Sequence, residues 1–185
     1  FSLSYKEPWV FSLPFDASIG LVDLSQKRVT SNTREVLYEL RQRGGTLGVD
    51  RSFTPFVKGS FTYQYEANKI QDLKPDAKLI PEDEGRVTIG SINLSAERDS
   101  RDDPFNPTGG SVNGILFKDA AFSLGSDVQF FKVTLQSSWY FPVTRWLVLA
   151  LSGSGGVAKN FGETLTVPIS ERFFLGGRSS VRGYE

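Results

Sequence analysis

A period of two runs through this chain in stretches long enough to exclude most folds. From Phe11 to Leu21 the odd positions are Phe11, Leu13, Phe15, Ala17, Ile19 and Leu21, while Ser12, Pro14, Asp16, Ser18 and Gly20 fill the even ones. Val57, Gly59, Phe61, Tyr63 and Tyr65 oppose Lys58, Ser60, Thr62, Gln64 and Glu66. Phe131, Val133, Leu135, Ser137, Trp139 and Phe141 likewise oppose Lys132, Thr134, Gln136, Ser138 and Tyr140. A helix would scatter such residues round its circumference, whereas an extended strand sends them to opposite faces. Each stretch is therefore a strand with one greasy side and one polar side.

Roughly eight strands emerge, over 1–5, 9–22, 34–49, 56–67, 86–98, 111–122, 128–141 and 146–158. Residues 34–41 also have the propensity of a short helix, and Arg41, Arg43, Gly44 and Gly45 break the apolar face of the third strand. The longest uninterrupted apolar run, Trp146–Leu151, falls far short of the about 20 residues a membrane helix needs, whereas a barrel strand spans with about 9–11. Soluble strands usually run about 5–6 residues. At about 3.3 Å per residue and a tilt near 40°, a twelve-residue strand rises about 30 Å, the thickness of a hydrocarbon core. The lengths favour a transmembrane barrel. The alternation by itself suits a soluble β-sandwich equally well. Lys58, Thr62, Gln64, Glu66, Lys132, Thr134 and Gln136 face a wet lumen in the first case and bulk water in the second.

If the chain runs up and down, the links at Lys6–Pro8, Asp50–Pro55, Ser100–Gly110 and Pro142–Arg145 lie at one end. Those at Asp23–Thr33, Asn68–Gly85 and Ser123–Asp127, with the segment after Val157, lie at the other. The second set holds the long polar links, an asymmetry typical of outer-membrane barrels, although Ser100–Gly110 and Ser123–Asp127 depart from it in length. Trp9, Trp139 and Trp146 all fall at the first end, joined by Tyr140, Phe141 and Phe11, as an aromatic belt at one membrane interface requires. In a sandwich the same rings would close one end of the core.

Composition narrows the chemistry. The chain has no Cys, His or Met, which removes thiol nucleophiles, imidazole bases and the usual zinc and iron-sulfur ligands. Its 21 Lys+Arg balance 21 Asp+Glu, so the overall attraction of a nucleic-acid binder is absent and no nucleic-acid partner is expected. Asp99, Asp102 and Asp103 offer oxygen ligands, but their spacing matches no EF-hand loop and solvated turn acids are far commoner. Neither a cofactor, a metal nor catalysis is expected. A first residue other than Met suggests a piece of a longer chain.

Two motifs remain. Arg101–Gly110 is a rigid link: Pro104 and Pro107 fix φ and remove donors, Asp103 and Asn106 favour turns, and Gly109 and Gly110 permit positive φ. Phe173–Tyr184 carries Gly176, Gly177, Arg178, Val181, Arg182, Gly183 and Tyr184, without the Gly-Lys-Ser/Thr ending of a phosphate-binding loop.

Together, Asp102–Gly110, Phe174-Leu175-Gly176-Gly177 and Val181-Arg182-Gly183-Tyr184 resemble the barrel of the BamA-like outer-membrane assembly factors. Phe131–Leu135 and Trp139–Val143 are similar to the same region. The resemblance implies an all-β, antiparallel transmembrane barrel of about 16 strands, of which residues 1–185 carry the middle eight as one partial barrel domain. Periplasmic domains upstream and the final strands downstream would complete it. It further implies insertion of nascent outer-membrane proteins by strand pairing at a lateral seam and local bilayer thinning. Accessory lipoproteins would be partners through the periplasmic domains, in the outer membrane of a Gram-negative-type bacterium or, second, of an organelle. Arg182 would tie an inward-folded loop to acidic groups on later strands, Gly176, Gly177 and Gly183 would allow close backbone approach, and Tyr184 would pack the loop tip. Arg178 is a second candidate for the wall contact. The alternatives are a related translocation or secretion pore, a passive porin and a soluble sandwich binding module.

Overall fold

The β-branched and aromatic residues of the alternating stretches favour a pleated surface, and the chain builds one from them. The computed structural model describes residues 1–10, 14–29, 36–71 and 85–173. Its strands are β1 (Ser2–Glu7), β2 (Asp16–Val29), β3 (Val36–Thr54), β4 (Val57–Gln71), β5 (Arg86–Asp99), β6 (Gly110–Ala120), β7 (Phe130–Thr144) and β8 (Leu147–Asn160). They form one antiparallel sheet in chain order. Among the described residues no helix is long and apolar enough to cross a membrane, which leaves open a crossing by strands.

Register shows what the sheet is for. Ala17, Val49, Phe61, Leu94, Phe117, Val133 and Val157 are successive cross-strand partners from β2 to β8, an unbroken apolar row on one face. One residue along, Ser18, Gly48, Thr62, Asn93, Lys118, Lys132 and Ala158 make the matching row on the other face. The greasy face is the uncovered one: Leu21, Leu47, Phe61, Leu94, Ile115, Leu135 and Leu151 are all exposed. A β-sandwich would bury that face against a second sheet, and among the described residues there is none. An exposed apolar surface of this extent needs lipid, so the architecture is that of a transmembrane barrel wall.

Several boundaries differ from the sequence expectation. The second strand, expected over 9–22, occupies Asp16–Val29 and so takes in Asp23–Val29, which were expected in a link. The alternation before Asp16 continues a pattern across a turn, where Trp9 takes a positive φ of 61°. The helical alternative at 34–41 fails from Val36 onward, because β3 is paired on both sides: Leu40 faces Gln26 on β2 and Ile70 on β4. Arg41 and Arg43 interrupt its apolar face because they lie near the end of the sheet opposite the tryptophans, where Arg41 Nε and Arg43 Nε donate to Asp23 at 3.3 and 2.9 Å.

A small core replaces the usual large one. Ile89, Ala120, Val128 and Phe130 are buried together on the polar face, with Val87 and Val167 against them. The β6–β7 link helps to form it by folding over the side of β5 that β6 leaves unpaired. Asp127 N donates to Thr88 O at 2.8 Å, and Tyr63 donates its hydroxyl to Leu124 O at 2.9 Å. On the outward side the same link lies close over β5, where a Cβ at Gly90 would stand 1.9 Å from Leu124 O.

Candidate functional site

The polar face carries a charged cluster built from three strands and the segment after β8. Glu66 on β4 is 1 % exposed and accepts from Gln42 Nε2 at 2.5 Å, Gln64 Nε2 at 2.7 Å and Asn68 Nδ2 at 3.4 Å. Lys118 Nζ on β6 lies 3.8 Å from the Glu66 carboxylate. Lys118 also hydrogen-bonds Glu171, which in turn accepts from Lys132 Nζ on β7 at 3.2 Å. Two carboxylates thus balance two ammonium groups, the condition under which buried charges are tolerable.

Residues 161–173 bring Glu171 to this point. Asn160 Nδ2 holds the carbonyls of Thr164 and Leu165 at 2.6 and 3.0 Å, and Thr164 Oγ1 accepts from Gln129 N at 2.7 Å. Val167 then packs on the core, Pro168 is buried, and a 3-10 turn over Ile169–Glu171 aims the acid at the wall. Asn68 Nδ2 donates to Ser170 Oγ at 3.3 Å, and Lys132 Nζ lies 4.8 Å from the centre of the Phe173 ring. The segment after β8 therefore lies against the inner wall rather than extending away from it.

The opposite end holds the turn motif. Asp102 is its hub: its carboxylate accepts from the backbone amides of Asp103, Thr108 and Gly109 at 3.0, 2.9 and 3.0 Å and from the Thr108 hydroxyl. Those donors hold its pKa well below the ordinary carboxylate value, with the Thr108 hydroxyl bond the largest cause. Asp103 caps the amides of Phe105 and Asn106 at 2.7 and 3.3 Å, while Pro104 offers its carbonyl to Arg101 Nη1 at 3.1 Å. Pro107 is half-buried. Gly110 has φ of 93°, and a Cβ there would stand 2.2 Å from Ser100 O. Residues 100–109 lie outside the strands, and the hydrogen bonds of this link converge on Asp102 rather than on its prolines.

Trp9, Trp139 and Trp146 lie at this same end, with Trp9 and Trp146 in connections and Trp139 late in β7. Trp139 stacks on Phe141 with ring centroids 6.4 Å apart, and both are exposed on the apolar face. Tyr140 needs correction: strand alternation turns it to the polar face, beside Arg101, so it does not join the exposed rings. A cavity of about 520 Å³ opens on the polar face here, where Lys6 Nζ lies 3.0 Å from both Asp16 and Asp50. Phe11, Arg178 and the loop residues Gly176, Gly177, Val181, Arg182, Gly183 and Tyr184 lie outside the described residues.

Two members of the charged cluster, Lys118 and Glu171, escaped sequence reasoning. Lys118 shares its face with Leu116 and Val112, which hides the polar parity of β6, and Glu171 sits in no strand at all. The signal that could have found Lys118 is register: counting from the β6–β7 link pairs it with Lys132.

An exposed apolar face, a charged inner face and a segment folded against that inner face define a transmembrane β-barrel of the outer-membrane kind. The Omp85 superfamily domain matches residues 1–185, and the chain belongs to that superfamily. Over 89 residues, 48% of this chain and 11% of the relative, it is 37% identical to the outer membrane protein assembly factor BamA of Neisseria meningitidis. It is 28% identical over 187 residues, 100% of this chain and 38% of the relative, to the sorting and assembly machinery component 50 homolog A of Xenopus laevis. The chain thus spans well under half the length of the curated relatives it matches. The crystal structure of BamA from Haemophilus ducreyi lacking POTRA domains 1–3 shares the fold, with a TM-score of 0.83 at 18% identity over 98% of this chain and 37% of that one.

Proposed function

We propose that this chain is part of an outer-membrane factor that assembles and inserts β-barrel proteins. The bilayer and nascent outer-membrane proteins are its partners, and accessory lipoproteins dock through periplasmic domains of the complete protein. The observation that carries this reading is the docking of residues 161–173 on the charged inner wall through Glu171, Lys118 and Lys132. A passive pore uses its polar inner face as a water path, whereas here that face holds a folded segment leading toward Gly176–Tyr184. Arg182 then ties the loop to acidic groups on further strands, its planar guanidinium suiting a bidentate carboxylate contact. Clients are received by strand pairing at a lateral seam, aided by local thinning of the bilayer.

The test is reconstitution of the full-length protein in lipid vesicles with an unfolded barrel client. Client insertion, read by protease protection and by heat-modifiable gel migration, should depend on the protein and fall in Arg182→Ala. Steady, client-independent conductance in planar bilayers with no insertion would support a porin instead.

A further inference from the structure

Lys118 and Lys132 are direct cross-strand partners on the inner face. Like charges in that relation repel, and Lys118 is only 6 % exposed, so water screens it poorly. Glu66 is the nearest acid on the wall, but its oxygens already accept from Gln42, Gln64 and Asn68, and it lies 3.8 Å from Lys118 Nζ. The strands alone leave a two-ammonium cleft that is short of one negative charge. Glu171, 8 % exposed, fills it with both oxygens, Oε1 toward Lys118 and Oε2 toward Lys132 at 3.2 Å.

We infer that Glu171 is a positioning residue, whose carboxylate, clasped between Lys118 and Lys132, fixes where the segment after β8 sits on the inner wall and hence the point from which the chain leaves toward the Gly176–Tyr184 motif. The apolar contacts of Val167 could not do this alone, because they are non-directional and tolerate sliding. Two ammonium groups facing one carboxylate admit a single seat. A buried ion bridge contributes little net stability against an apolar equivalent, so its value here is placement. The ring of Phe173 continues the arrangement by stacking under Lys132 Nζ at 4.8 Å. The consequence for client insertion rests on the assembly reading above, while the clasp itself does not.

The experiment separates the two. In the full-length protein, kept free of other cysteines, an Asn68→Cys and Ser170→Cys pair reports seating by disulfide formation, since the native side chains meet at 3.3 Å. The pair should cross-link readily in the parent. Adding Glu171→Lys should lower the cross-linked fraction at least about tenfold, because a third cation enters the cleft, and Glu171→Gln should lower it less. Lys132→Glu on top of Glu171→Lys should restore it, since the exchanged pair rebuilds one bridge and leaves Lys118 to Glu66. Heat-modifiable migration checks that every variant still forms a barrel, and client insertion should fall and recover with the cross-link. Unchanged cross-linking and insertion in Glu171→Lys, or no recovery on charge exchange in a folded barrel, would overturn the inference. Cross-linking that follows charge in a parent that inserts no client would uphold the clasp and remove the assembly reading.

Discussion

The outward face of β5 provides a ruler for membrane depth. Its residues run Arg86, Thr88, Gly90, Ile92, Leu94, Ala96, Arg98, so an arginine stands at each end of a less polar stretch. With about 3.3 Å per residue and a tilt near 40°, each residue climbs about 2.5 Å, which separates the two arginines by about 30 Å. Leu94, 46% exposed between Phe61 and Phe117, then lies about 10 Å inside the level of Arg98, and Ala96 about 5 Å inside it. A lipid-facing arginine costs about 2–4 kcal/mol at the bilayer midplane and about 0–1 kcal/mol near an interface. Leu94→Arg should therefore cost about 2 kcal/mol and Ala96→Arg at most about 1 kcal/mol, a gradient that water on this face could not produce. Equilibrium urea unfolding of the full-length protein in lipid vesicles measures both, and Ser95→Arg on the inner face is the control. Equal costs within about 0.5 kcal/mol for Leu94→Arg and Ala96→Arg would refute a lipid-facing placement.

Three further outcomes follow from local geometry. Phe130→Ala, at a fully buried ring, should cost about 3–5 kcal/mol in the same unfolding assay, far more than Phe105→Ala at an exposed one. Gly90→Ala should displace the β6–β7 link, because Leu124 O occupies the space its Cβ needs, and protease cleavage within residues 121–129 should rise while β7 and β8 stay protected. Asp102 ionises more readily in the native turn than in an unfolded chain. Its contribution is therefore complete above the ordinary value of 3.8 and lost as pH falls through the lower native value, so Thr108 and Gly109 amides should lose hydrogen-exchange protection in that acid range. Asp102→Asn should remove this acid dependence.

How much was legible in the sequence depended on the distance over which each feature is decided. Strand number, antiparallel order and the greasy and polar faces follow from the period of two, which is local. The start of β2 is displaced from the expected one because Phe11–Phe15 keeps the rhythm, although pairing with β1 begins only at Ala17, opposite Glu7. Residues 36–41 show tertiary pairing overriding a modest helix propensity, since β2 supplies ladder partners from Val36 and β4 from Glu39. The turn motif was recognisable from its prolines and glycines, yet Asp102 as its organiser depends on four donors that the fold gathers round one carboxylate. Tyr140 was grouped with Trp139 by proximity in sequence, when its even position already assigned it to the other face. Glu171 and Lys118 were the least visible, because they meet only after the chain has completed two more strands and turned back along the wall.

The scarcity of buried apolar side chains on a sheet this large inverts the ordinary relation between a protein and its solvent. In a water-soluble domain, a core substitution changes the packing that stabilises the fold. Here the packing partner of Leu47, Phe61, Leu94 and Leu135 is the acyl chain, so replacing one lipid by another of different length acts on this molecule as a set of simultaneous core mutations would on a soluble one. The seat of the segment after β8 depends instead on the balanced charges of Glu66, Lys118, Lys132 and Glu171, which answer to neighbouring charge but hardly to lipid. The two surfaces can thus be tuned separately: membrane composition sets how firmly the wall is held, and the charges behind it set what the wall holds.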